Sequence, residues 1–204
     1  MKTLFVIDMQ KDFLLDSGKL NLGHDTKDLI QRVSHYIRDF KGHVVLTQDS
    51  HNADSCEFPA FPEHCIFESE GWDLADDIYA SVQGRRPVVT LPPQAEPVDP
   101  RVAEMLKEKK GDDSVEVIFK RTFGGLGIMW TLDEETIRGE IHLAGVCTHI
   151  CIHDTVALIV NFAKEKFNIQ PKVIVHKDLI DDFNSEMAEM TLKRMQSLYG
   201  VEIV

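Results

Sequence analysis

The segment Gly145-Val146-Cys147-Thr148-His149-Ile150-Cys151 carries residue types suited to covalent chemistry. Thr148 is placed to cap a helix, leaving Cys151 in its first turn, where the positive helix end favours a thiolate. Exposed amides in such a turn donate to the oxyanion that forms when sulfur attacks a carbonyl. A buried cysteine behaving as a small hydrophobe is the commoner fate of the residue, and Cys147, just before the cap, fits it better. A second group is Asp49-x-His51, followed by Glu57 and His64. Residues two apart on extended chain share a face, so Asp49 and His51 can point at one ion while the loop returns Glu57 or His64. Such mixed oxygen and nitrogen ligands suit zinc, iron or manganese. Cys56, His64, Cys65, Cys147, His149 and Cys151 offer an alternative zinc set, without the paired C-x-x-C spacing that marks one.

These groups need elements that bring them to one place. Apolar runs at 4–7, 44–47, 115–119, 141–144, 173–175 and 201–204 are short, rich in valine and isoleucine, and barely alternate, as strands buried on both faces do. Between them, Leu29, Val33, Ile37 and Phe40, then Ile152, Val156, Ile159, Val160 and Ala163, then Ala188, Leu192, Met195 and Tyr199 recur at helical spacing. The pattern predicts an α/β fold, a three-layer αβα sandwich around a six-stranded, mostly parallel sheet, with right-handed crossovers. Prolines mark 87–100 as a surface excursion, with a short edge strand at 88–91 and a helix over 101–109. Sites in such folds lie beyond the carboxyl ends of the strands. There the sequence places Asp8, Asp49 with His51, Lys120, and the Cys147–Cys151 segment. Asp8 alone reads equally well as a turn residue, and Lys120 alone reads first as a solvated charge or an ion-pair partner; their joint placement is what points to a site.

The chain of 204 residues reads as one domain over 1–204, with hydrophobic residues at 43% and charged residues at 27%, ordinary globular values. A net charge of -12 is repelled by phosphate backbones and anionic lipid, so neither nucleic acid nor membrane is an expected partner. The amino terminus meets Asp8 too soon for a signal-peptide core, and no apolar run is long enough to span a bilayer. With only four cysteines, the expected location is cytoplasmic, with reduced thiols.

The segments Val6-Ile7-Asp8-Met9-Gln10-Lys11-Asp12-Phe13, Thr47-Gln48-Asp49-Ser50-His51, Phe61-Pro62-Glu63-His64-Cys65, Lys120-Arg121 and 145–151 resemble, over nearly the whole chain, the isochorismatase-like cysteine hydrolases. Within that family the chain is most similar to nicotinamidases. The resemblance implies a catalytic triad of Asp8, Lys120 and Cys151, and an oxyanion hole from the backbone amides of Cys147 and Cys151, with a cis bond before Cys147. It implies one divalent transition metal held by Asp49, His51 and His64, with Glu57 a candidate fourth ligand. Phe13, Phe61 and Phe123 stand where the family places aromatic ring walls, though each reads equally well as core packing. The implied activity is hydrolysis of a small-molecule amide, nicotinamide to nicotinate and ammonia, in a protein expected to form a homo-oligomer. The alternatives are a cysteine amidase acting on another small amide or N-carbamoyl compound, and a catalytically silent metal-binding or scaffold protein.

Overall fold

Strands whose side chains meet helices on both faces have no polar side, which is why the valine- and isoleucine-rich runs form a buried parallel sheet. The computed structural model describes residues 1–88 and 110–204. Among these, seven strands form one sheet: β1 (Lys2–Ile7), β2 (His43–Asp49), β3 (Arg86–Pro87), β4 (Ser114–Lys120), β5 (Glu140–Val146), β6 (Lys172–Asp181) and β7 (Glu202–Ile203). Their order is β3-β4-β2-β1-β5-β6-β7, and every pairing is parallel. The sheet therefore has one strand more than the six expected. The addition is β3, a two-residue edge strand of Arg86 and Pro87 that lies just before the edge strand expected at 88–91. The Val88 amide extends its pairing with a 2.7 Å bond to the Val115 carbonyl. Residues 89–91, the expected helix at 101–109 and most of the proline excursion lie outside the described residues.

Alternate residues of each strand supply two cores. Leu4, Val6, Val44, Leu46 and Val146 pack with Leu29, Val33 and Ile37 of helix α2 (Lys27–Asp39), which follows the short α1 (Lys11–Leu14). Phe5, Ile7, Ile118, Leu143 and Val175 pack on the other face. The short α3 (Asp76–Ser81) also faces the first core through Ile78; over the second core, after the short α4 (Glu134–Arg138), lie α5 (His153–Phe167) and α6 (Ser185–Tyr199), through Val156, Ile159, Leu192 and Met195. Each fully buried side chain of this size contributes roughly 1.5–3 kcal/mol. Arg85 stops α2 by donating to the carbonyls of Ile37 at 2.8 Å, Phe40 at 2.6 Å and Gly42 at 3.0 Å. None of the described helices is long and apolar enough to cross a membrane.

Two features carry this scaffold to the site. Gly145 sits opposite Ile7 with φ of 115°, and a Cβ there would lie 2.1 Å from the Ile7 carbonyl oxygen, so only glycine lets β5 approach β1. The β5–β6 register shifts between Leu143 and Gly145, and β6 runs on to Asp181 instead of ending near 175. That extension brings Asp182 and Phe183 beside the end of β5.

Candidate active site

Asp8, Asp49 and Lys120 stand at the carboxyl ends of β1, β2 and β4, and Asp49 and Lys120 are direct register partners. Asp8 leaves its strand with φ of 49°, which a non-glycine residue holds only when its surroundings fix it. Thr47 does so at both ends: its hydroxyl accepts the Asp8 amide at 3.1 Å and donates to Asp8 Oδ1 at 2.7 Å. Lys120 is fully buried, with Nζ 2.7 Å from Asp8 Oδ2, 3.5 Å from Asp49 Oδ1 and 3.6 Å from Cys151 Sγ. Gly125 makes room for it, since with φ of 64° a Cβ there would stand 2.7 Å from Lys120 Cβ. Burial works against the ammonium, but Asp49 and Asp8 outweigh it and hold Lys120 charged. Burial also pushes the Asp8 carboxyl above the ordinary aspartate range against the pull of Lys120.

The segment after β5 begins with a cis bond between Val146 and Cys147, as the resemblance implied. Thr148 does not cap the helix; its hydroxyl donates to the Asp181 carbonyl at 3.1 Å. Residues Thr148–Ile152 form a π-helical turn that leads into α5 at His153, with Cys151 inside it. Such turns gather at functional sites. The Cys147 carbonyl takes the amides of Ile150 at 3.2 Å and Ile152 at 3.1 Å, passing over that of Cys151. The expected resting thiolate is corrected: burial pushes the Cys151 thiol well up, Lys120 pulls it down, and the charges of Asp8 and Asp49 add to the burial. Cys151 is therefore a thiol that needs a base. Burial pushes the Cys147 thiol up as well.

Asp49, His51, Glu57 and His64 converge, each offering one ligand atom within 4.8 Å of the others. Asp49 Oδ2 lies 3.1 Å from His51 Nε2 and 3.5 Å from His64 Nε2, and Glu57 Oε2 lies 3.6 Å from His51 Nε2. The far ring nitrogens are anchored: His64 Nδ1 donates to the Pro62 carbonyl at 2.7 Å, and His51 Nδ1 meets Ser55 Oγ at 3.0 Å. That anchoring fixes the rings as metal ligands are fixed. Gln10 clamps the backbone of Asp49, donating to its carbonyl at 2.9 Å and accepting its amide at 2.7 Å. Buried Glu57 Oε2 has no hydrogen-bond partner, as an atom reserved for a cation would, while Asp49 turns Oδ1 to Lys120 and Oδ2 to the two histidines. Burial alone would raise Asp49, but Lys120 and bonds from His51 and His64 hold it well below the usual carboxylate range. Burial and Asp49 push the Glu57 carboxyl up. The residues fit a divalent transition metal, and the fit comes from oxygen and nitrogen donors, not from the cysteine set.

Between the thiol and this cluster is a cavity of about 20 Å³, lined by Phe13, Leu20, Phe61, Phe123, Ile150 and Phe183 together with Asp49, His64, Cys147 and Cys151. Phe13 is also buried in the first core, as its core-packing reading expected. Phe61 meets Phe123 edge-on at 5.8 Å and His64 at 6.4 Å. Sequence reasoning missed Thr47, Gln10, Ser55, Leu20 and Phe183. Thr47 and Gln10 lie inside the quoted motifs, but what they hold is 39 residues away.

A family model described as an isochorismatase domain matches residues 2–204. The chain is 28% identical over 208 residues to an uncharacterized isochorismatase family protein, PncA, of Bacillus subtilis (strain 168), covering 99% of this chain and 98% of that protein. A pyrazinamidase/nicotinamidase from Streptococcus mutans UA159 superposes with a TM-score of 0.71 at 20% identity, covering 100% of both chains. A pyrazinamidase of Pyrococcus horikoshii in complex with zinc superposes with a TM-score of 0.68 at 23% identity, covering 100% of this chain and 98% of that one.

Proposed function

The chain belongs to the isochorismatase family, and from that footing we propose that it is a metal-containing cysteine amidohydrolase whose substrate is nicotinamide or a close heteroaromatic carboxamide. The observation that carries this reading is the contact of Lys120 with Asp8 at 2.7 Å and Cys151 at 3.6 Å on the floor of an aromatic cavity. Asp8, Lys120 and Cys151 act as the catalytic unit. Cys151 attacks the carboxamide carbon as its proton passes to Asp8, forming the carbon–sulfur bond and a tetrahedral oxyanion. The backbone amides of Cys147 and Cys151 receive that oxyanion. Asp8 then returns the proton to the departing nitrogen, and ammonia leaves a thioester on Cys151. A water molecule, giving its proton to Asp8, attacks the thioester carbon; the carbon–sulfur bond breaks, sulfur regains a proton, and the acid is released. Lys120 keeps Asp8 oriented and balances its charge throughout.

Asp49, His51 and His64, with Glu57 as a candidate fourth ligand, would hold zinc, iron or manganese, and the bound ion would supply a positive charge suited to orienting the ring nitrogen of the substrate. The zinc of the Pyrococcus relative supports such a site. Phe13, Phe61 and Phe123 supply flat walls for a ring, and Lys120 on the cavity floor is already engaged by Asp8 and Asp49 and so is not free to meet a carboxylate. That lining favours nicotinamide over N-carbamoyl amino acids. Ammonia release by metal-loaded protein, compared across nicotinamide, pyrazinamide and N-carbamoyl amino acids, tests the reading. Turnover of the two ring amides is expected. Turnover confined to the N-carbamoyl compounds rejects the substrate, and none with any of them rejects the enzyme.

A further inference from the structure

A cavity of about 20 Å³ holds a single water, not an aromatic ring. Cys151 is 6% exposed, so the route to its sulfur is closed as it stands. Something in the wall has to move before a carboxamide can reach it. The lining residues differ in their freedom to do so. Phe13 is 5% exposed and packs its ring against His64 at 5.5 Å. Phe61 and Phe123 hold each other, and Phe61 also touches the His64 ring. Phe13 and Phe61 brace the His64 ring and Phe123 braces Phe61, so turning any of them away breaks a ring contact that supports this wall. Phe183 is different. It is 44% exposed, and its one ring contact among the described residues is an edge-on meeting with His149 at 5.1 Å.

The backbone on either side of Phe183 is fixed. Buried Asp182 accepts the His149 amide at 2.8 Å and meets His149 Nδ1 at 2.6 Å through Oδ2, while its Oδ1 accepts the Asn184 amide at 2.9 Å. Asn184 in turn caps α6, its Oδ1 accepting the Met187 amide at 3.0 Å. A half-exposed ring between two anchored residues moves by turning about its own side-chain bonds, among staggered rotamers separated by small energies. We propose that Phe183 is the side-chain gate of this cavity, and that the opening left when it turns outward sets the largest ring that reaches Cys151. Phe183 is thus a specificity-determining residue for heteroaromatic carboxamides. The choice of amide rests on the function proposed above; the gate itself rests only on access to the thiol.

The test measures that access without a substrate. Wild type, Phe183→Ala, Phe183→Leu and Phe183→Trp are treated with iodoacetamide and, separately, with the ring-bearing N-phenylmaleimide, and labelling at Cys151 is read by peptide mass mapping. Phe183→Ala and Phe183→Leu are expected to raise the ratio of the maleimide rate to the iodoacetamide rate by about tenfold, the discrimination a small change in an apolar pocket produces. Phe183→Trp is expected to lower it. Thermal melting identifies the variants that remain folded, and Phe183→Leu carries the comparison if the alanine variant melts early. A ratio unchanged in the folded variants overturns the gate. A parallel measurement compares kcat/KM for nicotinamide and quinoline-3-carboxamide, where Phe183→Ala is expected to shift preference toward the larger ring. If wild type turns over neither amide, the substrate reading fails, and the labelling ratio still decides the gate.

Discussion

Protonation of one buried histidine, far from the site, should set how the fold responds to acid. His142 of β5 and His176 of β6 lie under α2 with Nδ1 and Nε2 2.8 Å apart, and Tyr36 Oη is 3.0 Å from the same His176 nitrogen. Two ring nitrogens at that distance share one proton between them, and protonating both rings fully would set two cations side by side. Burial pushes His142 down to about 4 from the ordinary 6.5; the charge of His176 and that of Lys2 add to this, and Glu140 opposes it. Burial pushes His176 down as well, against the charge of Asp178. Between 6.5 and about 4 the unfolded chain takes up a proton that the folded chain refuses, so stability falls as pH drops through this window and levels below it. At about 1.4 kcal/mol for each pKa unit, His142 accounts for a loss of at most about 3 kcal/mol, a large share of the roughly 5–15 kcal/mol that holds a domain folded. Urea denaturation of wild type and His142→Phe, from neutral pH to about pH 4, measures it. Comparing the two also removes the opposing slope of His24 and His64. Asp181 raises the first, and Asp49 raises the second against its burial, so they stabilise below 6.5 and lose that contribution as pH rises. The wild-type curve should fall more steeply than the variant by up to about 3 kcal/mol; parallel curves would refute the reasoning.

Lys120→Met should leave Asp8 and Asp49 buried without their counter-charge, lowering stability by about 3–5 kcal/mol and ammonia release by several orders of magnitude; near wild-type kcat on any good substrate removes Lys120 from the catalytic unit. His51→Ala should abolish tight metal binding, and Gln10→Ala, which frees the Asp49 backbone, should weaken it about 10–100-fold in chelator competition; equal affinity in all three proteins rejects the metal cluster. Brief iodoacetamide treatment at mildly acidic pH should label exposed Cys56 before Cys151, because burial keeps the Cys151 thiol protonated. Activity loss should follow Cys151 labelling alone, which peptide mapping resolves.

The elements legible in the sequence are those whose burial leaves a repeating pattern. Strands β1, β2, β4 and β5 are apolar because both faces are covered, and α2, α5 and α6 are long enough for a stripe to recur. The edge strand β3 has two residues and is anticipated only through the apolar run at 88–91 that follows it, and α1, α3 and α4, at four, six and five residues, are too short to complete a pattern. The polar second half of β6, His176–Asp181, is hidden for the opposite reason, because its exposed residues read as a loop. In the site, Asp8, Lys120 and Cys151 were legible as polar residues following apolar runs. The groups that hold them were not. Thr47 and Gln10 reach across adjacent strands, and no local spacing announces which strand will be the neighbour. The thiolate expected at Cys151 failed for the same reason: helix-end logic is local, whereas two carboxylates and complete burial arrive from β1, β2 and the overlying layers.

The proposed triad and the proposed metal cluster are therefore one electrostatic unit with Asp49 as the shared member. Its Oδ1 faces Lys120 at 3.5 Å and its Oδ2 faces His51 and His64 at 3.1 and 3.5 Å. The register pairing of β2 with β4 makes this unavoidable, since it sets Asp49 directly beside Lys120 while the chain after β2 must return His51 to the same face. Its negative charge raises both Asp8 and Cys151 and also helps keep Lys120 protonated. A substitution at Asp49 would alter proton affinities in the proposed triad and remove a proposed metal ligand in one stroke, so its effect on rate could not be assigned to either. His51 and Gln10 touch the metal cluster, and neither contacts Lys120 or Cys151. They are the positions at which metal binding can be varied while the proton chemistry of Asp8 keeps its neighbours.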